Sequence, residues 1–88
     1  MLNDIRETRS RDKDGLYQLT LEVSERDFFG LYDEVDKDSA LDLLKQYLVY
    51  RQDDGRPSDI EIDHNKNNSI IVIKTKLHYL GNDHTEQP

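Results

Sequence analysis

Cysteine is absent from this 88-residue chain. That excludes a disulfide, a thiolate nucleophile and a cysteine-ligated metal. Long apolar runs are absent as well. No window approaches a membrane span, and the opening MLNDIRETRSRDKDG has no apolar stretch of signal-peptide length. A cytoplasmic protein with no membrane partner is the expectation. Glycine numbers four, all scattered singly, so no phosphate-cradling loop, dinucleotide fingerprint or Gly-x-Ser-x-Gly elbow can form. No cofactor is implied. An enzyme of this size with no such motif is unusual, and a non-enzymatic role is expected.

What is abundant is negative charge, and it is unevenly placed. The formal net charge is −7. Between residues 22 and 42 stand Glu22, Glu25, Asp27, Asp33, Glu34, Asp36, Asp38 and Asp42, opposed only by Arg26 and Lys37. That block alone carries a net −6. Such a field repels nucleic acid and membrane surfaces and attracts basic proteins or cations.

The length sets one domain, expected over residues 1–80, with a stability on the order of 5 kcal/mol. Residues 81–88, GNDHTEQP, hold no apolar side chain and read as a flexible tail. Residues 4–11 and 16–23 predict a hairpin around the turn signal Asp14-Gly15. In its second strand Tyr17, Leu19, Leu21 and Val23 alternate with polar residues. Ser24 then opens a helical segment in which Phe28, Leu31, Tyr32 and Val35 share one face. A second helix start falls at Asp38 or Ser39, followed by the broad apolar face of Ala40 to Tyr50. Gly55 is the expected C-terminal cap, with Pro57 beyond it. Residues 59–64 and 70–80 predict a second hairpin. Its last strand, apolar on both faces over Ile70 to Ile73, belongs in the middle of a sheet.

The predicted fold is therefore α+β: a four-stranded antiparallel sheet from two hairpins, β-β-α-β-β, with one or two helical pieces on one face. This leaves Ile70 and Val72 pointing away from the helices. The segment 25–35, the loop 51–58 or a second copy of the chain would have to cover them.

No metal or catalytic constellation is predicted. Ser10-x-Asp12-x-Asp14-Gly15 echoes a calcium loop, but Leu21 stands where a bidentate Glu is required. Asp33, Glu34, Asp36 and Asp38 read as a solvated inter-helical loop. His64 and His78 cannot face each other across adjacent strands, and His84 lies in the tail. The serines all fall at turns or caps. Arg9, Arg11 and Lys13 share one side at strand spacing, and Lys74 and Lys76 would extend that side if the strands were neighbours. The net charge argues against direct nucleic-acid binding all the same.

Two functional expectations follow. The first is a protein-binding module or inhibitor that docks a basic partner. Its acidic patch comprises Glu25, Asp27, Asp33, Glu34, Asp36, Asp38 and Asp42, and its aromatic rim Phe29, Tyr32 and Tyr50. In size and charge alone, small acidic nuclease-immunity proteins and phage-encoded inhibitors that mimic DNA charge are comparable. The second is a structural or assembly role, as a homodimer or an accessory subunit of a larger, phage-type complex.

Overall fold

The computed structural model describes residues 2–11 and 16–79. The Asp14-Gly15 turn and the predicted tail at 81–88 lie outside the described residues. A short 3-10 turn, Leu2–Asp4, precedes strand β1 (Arg6–Arg11) and strand β2 (Tyr17–Ser24). Helix α1 (Glu25–Phe29) and helix α2 (Lys37–Tyr50) follow. Strands β3 (Arg56–Asn65) and β4 (Ile70–His78) complete the chain. The four strands form one antiparallel sheet in the order β1-β2-β4-β3. The two hairpins thus meet through β2 and β4, and β4 is central as its apolar run predicts.

Register decides the two faces. Leu21 lies opposite Ile73 and Val23 opposite Ile71, while Ile62 lies opposite Ile73 from the other side. These side chains project toward α2, whose Ala40, Leu43, Leu44, Tyr47 and Leu48 are buried against them. Phe28 of α1 joins the same core at 0% exposure. Fully burying a side chain of this kind contributes about 1.5–3 kcal/mol.

The opposite face carries no fully buried residue. Ile70 and Val72 on that face are half-buried. Val72 sits between Glu22 on β2 and Asp63 on β3. Side chains of such neighbours can shield an apolar residue with their stems, and Val72 is half-buried. An antiparallel sheet tolerates one solvated face because its other strands alternate.

The helices start and stop for local reasons, some of which differ from the sequence expectation. Ser24 caps α1 as predicted: its Oγ accepts the Asp27 N–H at 3.1 Å. The helix then ends at Phe29, well short of Val35. The cap of α2 is Asp36, whose Oδ1 accepts the Ser39 N–H at 2.8 Å, rather than Asp38 or Ser39. At the far end, Gln52 adopts φ 56° and occupies the left-handed position expected of Gly55. The Gln52 N–H donates to the Val49 carbonyl at 3.0 Å and the Asp53 N–H to that of Leu48 at 2.8 Å. That is a Schellman closure.

Candidate functional site

The acidic segment becomes α1, the connection 30–36 and the first turns of α2. Its position follows from how α1 is anchored. The Glu25 N–H donates to the Ser69 carbonyl at 2.9 Å, and Glu25 Oε2 lies 2.5 Å from His64 Nε2. Both contacts reach the end of the sheet where β3 turns into β4. Asx geometry shapes that turn: Asn65 Oδ1 accepts the Asn68 N–H at 3.1 Å, and Ser69 takes φ 58°.

The seven predicted carboxylates have different local roles. Glu25 pairs with His64. Asp36 caps α2, and the Ser39 backbone N–H, followed by the Ser39 hydroxyl, holds its carboxyl below the usual range. Asp42 Oδ2 accepts from the Tyr32 hydroxyl at 2.6 Å and from Gln46 Nε2 at 2.8 Å. Burial, and then this carboxylate, push the Tyr32 phenol up from its ordinary value. Asp27 sits half-buried in α1, while Asp33 and Glu34 in the connection and Asp38 in the first turn of α2 are exposed. Among the described residues none of these four forms an ion pair, and neither do Arg26 and Lys37.

The predicted aromatic rim divides. Phe29 is 43% exposed. Its ring lies 5.6 Å from that of Phe28 and 5.7 Å from that of His64. Tyr32 is half-buried, its ring 5.1 Å from Phe28. Tyr50 is exposed but stands at the last position of α2, roughly 18 Å along the helix from Asp38 at 1.5 Å per residue. There it borders a shallow apolar groove with Leu2, Lys45, Gln46 and Val49. Sequence periodicity placed Leu31 on a buried face. In the fold it is 53% exposed, because α1 stops before reaching it. Gly30, followed by Asp33-Glu34, was the available signal for that stop.

At the C-terminal end of α2, away from the acidic segment, lies a polar cleft of roughly 580 Å³ lined by Arg9, Tyr17, Arg51, Gln52, Asp53, Asp54 and Tyr79. Arg9 donates to Asp53 and to the Tyr79 hydroxyl, each at 2.9 Å, and to Glu7 at 3.2 Å. The Tyr47 hydroxyl donates to Glu7 at 2.5 Å. Arg9, Asp53, Tyr79, Glu7 and Tyr47 thus form one network of hydrogen bonds beside the cleft. Arg9 and Arg11 do not combine with Lys74 and Lys76. Arg9 lies on the helical face opposite Leu19, whereas Lys76 lies opposite Gln18 on the other face.

Like the Arg9–Asp53 contact, a further one is not visible in the sequence: Ser58 Oγ lies 2.7 Å from His78 Nε2. A serine–imidazole pair is the start of a nucleophile–base arrangement. Here it is exposed, and no carboxylate orients the imidazole among the described residues. Among the described residues no group of three or more His, Asp or Glu converges to hold a metal ion. Nor is any helix among them long and apolar enough to cross a membrane. No family model, curated protein or solved structure matches the chain.

Proposed function

We propose that the protein is a non-enzymatic binding module whose α1–α2 surface docks a basic protein. One observation supports this reading: Phe29 and Leu31 are exposed in the same stretch of chain as Asp27, Asp33, Glu34 and Asp38, none of which forms an ion pair among the described residues. Interfaces typically combine an apolar or aromatic centre with a charged rim. The carboxylates would draw a basic partner from a distance and raise the association rate. The apolar pair would hold the complex once formed. Tyr50 plays no part in this reading, being at the other end of α2.

The test is affinity capture with the intact protein, comparing wild type with a D33N/E34Q/D38N triple variant and with F29A/L31A. Asp36 is left intact because it caps α2. The captured partner should be released by about 0.5 M salt, where screening shrinks the range of the field to a few ångströms. The charge variant should lose association rate, and the apolar variant should dissociate faster. Binding unaffected by all five substitutions would refute the assignment.

A further inference from the structure

We propose that Arg56, Ser58, Lys76 and His78 form a binding site for a phosphate group on the open face of the sheet. Register brings them together. Arg56 lies opposite His78 and Ser58 opposite Lys76, in neighbouring rows of the β3–β4 pair. Residues two apart on a strand share a face, and so do directly opposed residues. All four therefore stand on the side away from α2. Ser58 Oγ and His78 Nε2, 2.7 Å apart, tie the two rows together.

The chemistry of the four groups suits a phosphate. Arg56 is exposed and forms no ion pair among the described residues. Its planar guanidinium can hold two phosphoryl oxygens at once. Lys76 adds a point charge. Its ion-pair partner, Asp59, has its Oδ2 3.8 Å away and a side chain 72% exposed. So loose a surface pair contributes little and yields to a dianion. The Ser58–His78 bond leaves one donor over whichever way it runs. If the hydroxyl donates, the imidazole Nδ1–H remains; if Nε2–H donates, the hydroxyl proton remains.

The backbone and the wider field favour the same corner. The Ser58 carbonyl is held by the buried Thr75 hydroxyl at 2.8 Å. Strand β3 then loses register, and Asp59 takes φ 52°. Bulges re-aim side chains beside binding sites, and strained non-glycine residues cluster at ligand clamps. Across β4, Lys76 faces the neutral Gln18, and Gln18 faces Ser10. The acidic α1 segment joins the sheet beside Ile70, about 27 Å along β4 from His78 at roughly 3.4 Å per residue. That exceeds the screening length of about 8 Å at physiological salt.

The test is an NMR titration of the intact chain at about pH 8, with sodium phosphate in one arm and glycerol 3-phosphate in another. Sodium chloride of matched ionic strength is the blank, and no protein partner is present, so the outcome is independent of the docking role. Saturable shifts should appear at the Arg56, Ser58, Lys76 and His78 amides, with Ile71 and Ile73 unmoved. Response to both ligands identifies a phosphate carried on a larger molecule; response to phosphate alone identifies the free ion. R56A and K76A should each weaken binding about tenfold, the loss of one charge-assisted contact. K66A, which removes an exposed cation in the β3–β4 turn, should leave it unchanged. Shifts that never saturate, that match the chloride blank, or that fall equally in K66A would overturn the site.

Discussion

Arg9 on edge strand β1 and Asp53 just beyond α2, 44 residues apart in the chain, meet at 2.9 Å. The edge strand buries almost nothing of its own, so this contact, with Tyr79 and Glu7, is what fastens it to the helical layer. Both partners are partly shielded, with side-chain exposures of 30% and 12%. Replacing Arg9 with Ala leaves the Asp53 charge half-buried without its cation. A loss of about 1–2 kcal/mol is expected, larger than for an exposed pair. Chemical denaturation of R9A against R6A checks this. Arg6 is highly exposed, lies 3.9 Å from Glu22, and should be nearly neutral to replace.

Acid should act through the same contact. Burial pushes the Asp53 carboxyl up. The Gly55 N–H, the Arg9 guanidinium and the Tyr79 hydroxyl outweigh that and leave it below the usual carboxylate range. A carboxyl depressed in the folded state adds stability above its unfolded value, near 4, and loses it as pH falls through the folded value. Melting temperature should therefore decline below about pH 4. D53N should start lower at neutral pH and decline less steeply. At the alkaline end, Tyr47 and Tyr79 are pushed up to about 12, by burial first and then by Glu7 and Asp53. Phenols raised in the fold stabilise it below their unfolded value, near 10. That contribution is lost as pH rises from there toward 12, so alkaline unfolding should accompany phenolate absorbance.

Gln52 and Gly55 have exchanged the roles their residue types suggest, which gives a paired prediction. Gln52 holds φ 56° at the end of α2, where glycine is normally favoured. Q52G should therefore stabilise the protein by about 0.5–1 kcal/mol, reduced by the added freedom of the unfolded chain. Gly55 serves packing: an added Cβ would lie 3.0 Å from the Tyr79 ring and 3.0 Å from Asp53 Oδ1. G55A should cost about 1–3 kcal/mol by displacing both. Opposite shifts in denaturation midpoint for the two variants are the expected result. Equal shifts would contradict this assignment.

The same pair shows where sequence reading reached its limit. Periodicity in Leu19 to Val23 and in Ile70 to Leu77 specified the buried face of the sheet, because burial against α2 enforces alternation. The Ser24 cap was equally legible, since its partner is three residues away. The Arg9–Asp53–Tyr79 network was not, because its members come from β1, the end of α2 and the residue after β4. No local pattern predicts which charges such a topology brings together. The acidic segment was visible as a composition bias. That Glu25, Asp36 and Asp42 have structural partners, while Asp33, Glu34 and Asp38 form no ion pair among the described residues, depended on the fold. Leu31 shows the same dependence: the helical phase that would bury it does not apply, because the helix stops two residues before it.

Thr75 is the one buried polar residue among those described, at 1% exposure, and its hydroxyl donates to the Ser58 carbonyl at 2.8 Å. The bond lies where β3 loses register between Ser58 and Glu61 and where Asp59 takes φ 52°. An irregular strand leaves backbone groups without ladder partners, and a buried one unpaired costs about 1–3 kcal/mol. Thr75→Val preserves shape and β-branching but removes the donor, so T75V should lose about 1–2 kcal/mol. Thr75→Ser keeps the donor and removes one methyl, with a loss of about 1 kcal/mol from packing alone. Equilibrium denaturation gives the two totals. Hydrogen exchange at Ile60 and Glu61 distinguishes the causes, since only T75V should loosen the bulge. If T75S accelerated exchange there as much as T75V, packing rather than the hydroxyl would be what holds β3 in place.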